Sequence, residues 1–166
     1  DFIFLQEVHG KHSLHSQRIQ LWPQKPQFEF IAEEKWLHFI YGPNAIYEEG
    51  NHGNAILSKF PILEWKNEDI STSSFEKRGI LYAKVKPNPL KPDLHLICTH
   101  FGLLEKDRIF QSTKLCDLVK RKVKDGDSLI IGGDFNDWKL SLSSIFRNQL
   151  GLDEVYQFFH NSHART

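Results

Sequence analysis

The chain carries no excess of charge of either sign: Lys and Arg total 21, Asp and Glu total 21, and the net charge is zero. That balance excludes the strongly basic composition of a dedicated nucleic-acid binder and leaves room only for a local positive patch. Cysteine is scarce. Cys98 and Cys116 are the only two, each in an apolar context, and they read as reduced core thiols of a cytosolic-type protein. No run is apolar and long enough for a transmembrane helix and no signal-peptide pattern is visible, so a cytoplasmic location is expected. There is no internal repeat and no linker. Residues 1–166 therefore read as one domain, with enough chain for a substantial core. Met does not open the sequence, and Asp1 leads straight into Phe2-Ile3-Phe4-Leu5. The stretch 160–166 has no element to close on. Both ends read as cut from a longer domain.

What is present is a series of short apolar runs separated by polar loops. Strands are expected at Phe2 to Val8, His38 to Tyr41, Ala55 to Ser58, Ile62 to Ile70, Ile80 to Val85, Leu94 to Thr99 and Leu129 to Ile131. Gly42-Pro43-Asn44 reads as a turn, Glu48 to Asn54 as a polar loop and Ser71 to Arg78 as another. Helices are expected at 12–21, at Gln27 to Glu34, at Glu105 to about Val123 and at Leu140 to Leu150. In the third, Ile109, Cys116, Val119 and Val123 recur with helical spacing. The regular strand–helix alternation of a doubly wound sheet is missing. Two packed sheets with helices outside are expected.

The sharpest chemical signal is Gly133-Asp134-Phe135-Asn136, which follows the apolar run Ser128 to Ile131, read as a buried, central strand. Asp134 and Asn136 leave a strand end with one residue between them, and period-2 geometry points both to one side. A hard divalent cation and a phosphoryl group want such groups; a turn or capping role is the plainer alternative. Glu7 ends another apolar strand, where its carboxylate needs either a cation or a salt bridge. Asn54 precedes the strand 55–58 and can orient a carboxylate or a phosphate oxygen, or make a turn. Arg78 precedes Ile80 and can clamp a phosphate with its fork of donors, or belong to a solvated charge pair. His100 closes the strand 94–99 as an acid or phosphate donor, or as a satisfied core histidine. Arg108 and Gln111 share a helix face that can support His100 or Glu7. Trp138 walls the pocket or packs on Phe135. Six strand-end positions with such groups are what a sheet-edge active site requires.

In Leu5-Gln6-Glu7, Gly53-Asn54-Ala55-Ile56-Leu57-Ser58, Arg78-Gly79, Thr99-His100, Arg108 with Gln111, and Gly133-Asp134-Phe135-Asn136, the chain resembles the endonuclease/exonuclease/phosphatase superfamily of DNase I-like metal-dependent phosphohydrolases. These pieces occur in family order across residues 5 to 136. The resemblance implies an α/β (α+β) four-layer sandwich, with two mostly antiparallel sheets flanked by helices and the site at one edge. It further implies Glu7 as the Mg²⁺ or Mn²⁺ ligand, and Asp134 as the group that activates or positions the attacking water or assists the metal site. Asn136 would orient phosphate and nucleophile, His100 would donate to the phosphate or leaving group, and Arg78 would neutralise phosphoryl charge. Asn54, Arg108 and Gln111 would support the pocket. The family's earlier Asn, its C-terminal Asp and its Asp-His pair are not matched; Asp153 and His163 lack the family context.

The implied reaction is hydrolysis of a phosphate ester by in-line water attack, foremost by a phosphodiesterase or endonuclease. A phospholipid or inositol phosphate phosphatase, an RNA or poly(A)-type nuclease and a non-catalytic phosphate-binding module remain as alternatives. The partner is a phosphate-ester substrate, whether nucleic acid, phospholipid or small phosphodiester, with no obligate protein partner evident. Lys120-Arg121-Lys122-Val123-Lys124 reads as a solvated helix face rather than a DNA track. Trp22, Trp36 and Phe158-Phe159 can meet a lipid headgroup or belong to the core.

Overall fold

The protein is described from a computed structural model, which covers residues 1–33 and 35–160. The elements run β1 (Phe2–His12), α1 (Ser13–Arg18), α2 (Gln27–Ala32), β2 (His38–Tyr47), β3 (Gly50–Ser58), β4 (Ile62–Asp69), β5 (Gly79–Val85), β6 (Leu94–His100), α3 (Glu105–Lys122), β7 (Ser128–Asp134), α4 (Ser141–Leu150) and α5 (Val155–His160). β1, β3 and β2 pair antiparallel in that spatial order as one sheet. β4, β5, β6 and β7 form the second, antiparallel except for the parallel pair β6–β7. A parallel pair needs a long crossover, and α3 supplies it.

Strand alternation builds the layers. On β3, Ile56 joins Leu81, Ala83 and Val85 of β5 and Leu96 and Cys98 of β6 in a core between the two sheets. Its neighbours Ala55 and Leu57 turn the other way, to Phe28 and Ala32 of α2. On the far side, Ile80, Tyr82 and Ile97 pack against Leu115, Leu118 and Val119 of α3 and Leu142 of α4. Side chains pointing to opposite faces at period 2 make one strand serve two cores. The expected sandwich of two central sheets flanked by helices is the observed architecture.

Several local expectations are corrected. Gly42-Pro43-Asn44 is not a turn. β2 runs through it, with a register shift between Pro43 and Ala45, and a proline is tolerated in such a bulged outer strand. The polar stretch 48–54 is mostly strand: β3 begins at Gly50, leaving only Glu48 and Glu49 to turn the hairpin. Gly53 is required there because a Cβ would run into the Gly42 carbonyl oxygen. The helix expected at 12–21 shortens to α1, because β1 itself continues to His12. α2 ends at Ala32, and Glu34 lies outside the described residues.

β7 is not central. Among the described residues it is the outer strand next to β6, and Ile130 is exposed. On α3, Ile109 is exposed while Leu115 and Leu118 are buried. The inward positions of its first turns are taken by Arg108, Gln111 and Ser112, so the expected apolar face holds at Cys116, Val119 and Val123 and fails only at Ile109. Both cysteines are free and buried, as anticipated. No helix among the described residues is long and apolar enough to cross a membrane.

Candidate active site

Topology gathers the polar strand ends. β5 starts at Gly79 and runs antiparallel to β6, which ends at His100; β7 runs parallel to β6 and ends at Asp134. His100 and Asp134 are register partners. Gly133 makes this pairing possible: its φ is 150°, and a Cβ would collide with the Thr99 carbonyl oxygen.

The facing sheet contributes Glu7 through a β-bulge. Leu5 pairs with Ala55 and Val8 with Gly53, so Gln6 and Glu7 together stand opposite Asn54. Such a bulge re-aims a side chain. Gln6 turns inward and its Nε2 donates to Cys98 Sγ at 3.3 Å. Glu7 adopts φ 55°, uncommon for a residue with a side chain, and its carboxylate is 64% exposed with Oε1 at 3.7 Å from His100 Nδ1. On the other side of that imidazole, Asp134 Oδ2 lies 4.0 Å from Nε2. His100 is thus flanked by two carboxylates at distances too long for hydrogen bonds. Burial, followed by the Arg78 charge, holds its pKa below the ordinary imidazole value, against the opposing pull of Glu7, Asp134 and Glu76.

Asp134 also organises the loop after it. Its Oδ1 accepts from the Asn136 backbone N–H at 2.9 Å, an Asx turn, and Asn136 takes φ 49°. Asn136 Nδ2 then donates to the Phe101 carbonyl at 2.9 Å. The same carbonyl accepts from Arg78 Nε at 3.2 Å. The rest of the Arg78 fork is engaged as well, with Glu76 Oε1 at 2.8 Å and the Lys77 carbonyl at 3.3 Å. Asn54 is buried and donates Nδ2 to the Gly79 carbonyl at 3.0 Å, tying the first sheet to the start of β5. Gln111 accepts from the Gly102 N–H at 2.8 Å and Arg108 donates to the Leu103 carbonyl at 2.6 Å, so both hold the loop that follows His100. Arg108 also lies over the Trp138 ring at 5.7 Å. Phe135 packs on Phe101 and Phe146 instead.

Glu7, His100, Asp134 and Asn136 therefore come together, Arg78 stands behind them with each of its three nitrogens holding one partner, and Asn54, Arg108 and Gln111 act on backbone. Asp153 pairs with Arg147 at 2.9 Å; His163 and the Phe158 side chain lie outside the described residues. Arg121 and Lys122 pair with Glu68 and Glu64 of β4, in keeping with a solvated face rather than a nucleic-acid track. Two residues were missed by sequence reasoning. Glu76, in a stretch read as an unremarked polar loop, holds Arg78. His52 feels the charges of Glu7, His9 and Arg78, and burial first of all lowers its pKa. The signal for His52 was its place two residues before Asn54, on the same strand face once 50–58 is read as a strand. Among the described residues, no group of three or more His, Cys, Asp or Glu side chains is arranged to hold a metal ion.

The Endonuclease/Exonuclease/phosphatase family model matches residues 1–165. The uncharacterized protein YbhP of Escherichia coli strain K12 is 40% identical over 166 residues, covering 100% of this chain and 65% of its own length. The Shigella flexneri protein of that name matches equally. The chain thus spans 65% of the length of these relatives. Of solved structures, the human Nocturnin catalytic domain with bound sulfate superimposes with TM-score 0.72 at 17% identity, over 99% of this chain and 63% of that one. D. rerio TDP2 complexed with single strand DNA product gives 0.62 at 16% identity, over 98% and 58%. ANGEL2, a 2',3'-cyclic phosphatase, gives 0.62 at 19% identity, over 89% and 42%. At these identities the three structures establish the shared fold.

Proposed function

Because the chain belongs to the endonuclease/exonuclease/phosphatase family, we propose that it hydrolyses phosphate esters with the help of a divalent cation, acting foremost on phosphodiesters. The observation that carries this reading is the open placement of His100 between the Glu7 and Asp134 carboxylates, at 3.7 and 4.0 Å. Two carboxylates flank one imidazole at a sheet edge without closing into hydrogen bonds, which leaves their hydrogen-bonding capacity for a reacting group.

The donor set suits Mg²⁺ or Mn²⁺. A small hard cation keeps several waters and takes only one or two carboxylates, completing its shell with substrate phosphate. Glu7, exposed and aimed by its bulge, is the residue that would hold it. Bound there, the cation would polarise a phosphate oxygen and stabilise the leaving oxygen. Asp134 accepts a proton from, or orients, the attacking water. His100, held neutral near pH 7 by its lowered pKa, offers one N–H to a phosphate oxygen. Asn136 is fixed through Phe101 beside it. Arg78 holds Glu76 and two backbone carbonyls through three of its donors, so it positions the loop after His100 and brings its charge to the phosphoryl group. Asn54, Arg108 and Gln111 keep the edge rigid.

The test is hydrolysis of bis-p-nitrophenyl phosphate, plasmid DNA, single-stranded RNA, inositol phosphates and phospholipids in Mg²⁺ and Mn²⁺, with Glu7→Ala and Asp134→Ala variants. The expected result is activity abolished by EDTA and reduced at least ~100-fold by either substitution. Silence on every substrate would favour a non-catalytic phosphate-binding module.

A further inference from the structure

Between Glu7 and Glu29 the sequence has no carboxylate, yet it contains Lys11, Arg18 and Lys25. All three cations are exposed. A chain without net charge thus concentrates positive charge in one stretch, and that stretch begins at the proposed cation ligand. It is also apolar on its outside. Leu21 is 95% exposed and sits at φ 65°, a conformation uncommon for a residue with a side chain. Ile19 beside it is exposed as well. α2 turns Phe28 and Ala32 to the core and leaves Phe30 54% exposed, with Ile31 exposed next to it. Between this apolar face and β1 lies a cleft of about 410 Å³ lined by Trp22, Lys25, Phe30 and Ile31 on one side and by His9 and Gly10 on the other. His9 is two positions beyond Glu7, so one wall of the cleft lies on the strand that carries the proposed cation ligand.

We propose that residues 18–31 are a membrane-docking surface that seats the protein on an anionic phospholipid bilayer, with the cleft beside His9 as the path by which a lipid phosphate reaches Glu7. A nucleic acid would be attracted by Arg18 and Lys25 but would gain nothing from Leu21 and Ile19 standing in water. A bilayer interface uses both sets of groups. Apolar side chains enter the acyl boundary, cations meet headgroup phosphates, and a tryptophan sits at the level between them. For what happens at Glu7 the proposal rests on the phosphohydrolase reading; the docking surface itself does not.

Sedimentation of the full chain with vesicles of phosphatidylcholine, with and without phosphatidylglycerol, tests it. Binding to the mixed vesicles is expected, weaker on phosphatidylcholine alone and at high salt. Ile19→Glu with Leu21→Glu should weaken vesicle binding roughly tenfold or more while hydrolysis of soluble bis-p-nitrophenyl phosphate is unchanged. Arg18→Ser should reduce the salt dependence without abolishing binding. No vesicle binding by the unaltered protein, equal binding by the double variant, or binding of single-stranded DNA or RNA in place of vesicles would overturn the proposal. Vesicle binding that the double variant loses, with no hydrolysis by any of the proteins, would keep the docking surface and remove the hydrolase reading.

Discussion

Strand β6 carries two buried histidines near its opposite ends, and they are treated in opposite ways. His95 is 1% exposed. Its Nδ1 is 2.9 Å from the Tyr82 hydroxyl and its Nε2 is 3.1 Å from Asp127 Oδ2, so both ring nitrogens are in hydrogen bonds. Burial pushes the Tyr82 phenol up to about 12, and the hydrogen bond from His95 holds the Asp127 carboxyl below its ordinary range. His100 is 8% exposed and has carboxylates on both sides, but at 3.7 and 4.0 Å neither is a hydrogen-bond partner. A closed network is what a buried polar group needs for stability. An open one leaves capacity for a ligand. The difference separates a histidine that holds the fold from one available for chemistry, although both sit in the same strand.

Substitution breaks the comparison most strongly at the open end. His100→Ala should lower turnover of a phosphodiester by about 100- to 10,000-fold while urea unfolding moves little, as steady-state kinetics and denaturation together would show. His95→Leu should do the reverse. It strands the Tyr82 hydroxyl in the core, and the expected loss is about 1–3 kcal/mol of stability with near-normal turnover per folded molecule. If both substitutions had the same consequence, the distinction drawn between the two ends would fail.

The amino-acid sequence reveals these two ends unequally. Thr99-His100 and Gly133-Asp134-Phe135-Asn136 stand out because a strand end followed by small and polar residues leaves a local pattern. The layering was legible for a similar reason, since the unbroken apolar runs Ala55-Ile56-Leu57 in β3 and Ile80-Leu81-Tyr82-Ala83 in β5 declare strands buried on both faces. Glu7 reads as a strand-end residue, but the bulge that aims it depends on pairing with Asn54 and is invisible in one strand alone. β3 was obscured at its start because glycines and polar residues mimic a loop, although close cross-strand approach demands Gly53. The His95–Asp127–Tyr82 network joins three separate elements and has no local signature. Neither has the burden on Arg78, whose fork is occupied by Glu76 and by carbonyls that no spacing rule would pair with it.

Acid sharpens the comparison more gently. His100 and His52 are both held below the ordinary imidazole range, with burial as the main cause. The unfolded chain therefore takes up their protons first, and stability falls as pH drops below the ordinary imidazole value. His100→Gln removes one of these groups. Urea unfolding in EDTA near pH 7 and near pH 5 should show a smaller acid-induced loss in that variant than in the unaltered protein. An unchanged loss would mean that His100 is not the group resisting protonation.

The most direct test of the account is calorimetric titration of Mn²⁺ into the unaltered protein and into Glu7→Gln, with no substrate present. The account predicts a single binding event that the substitution weakens roughly tenfold or more, with the folded structure intact by circular dichroism. Equal Mn²⁺ affinity in the two proteins, or no binding by the unaltered one, would contradict the claim that the bulged Glu7 makes this sheet edge a cation-dependent phosphate-ester site.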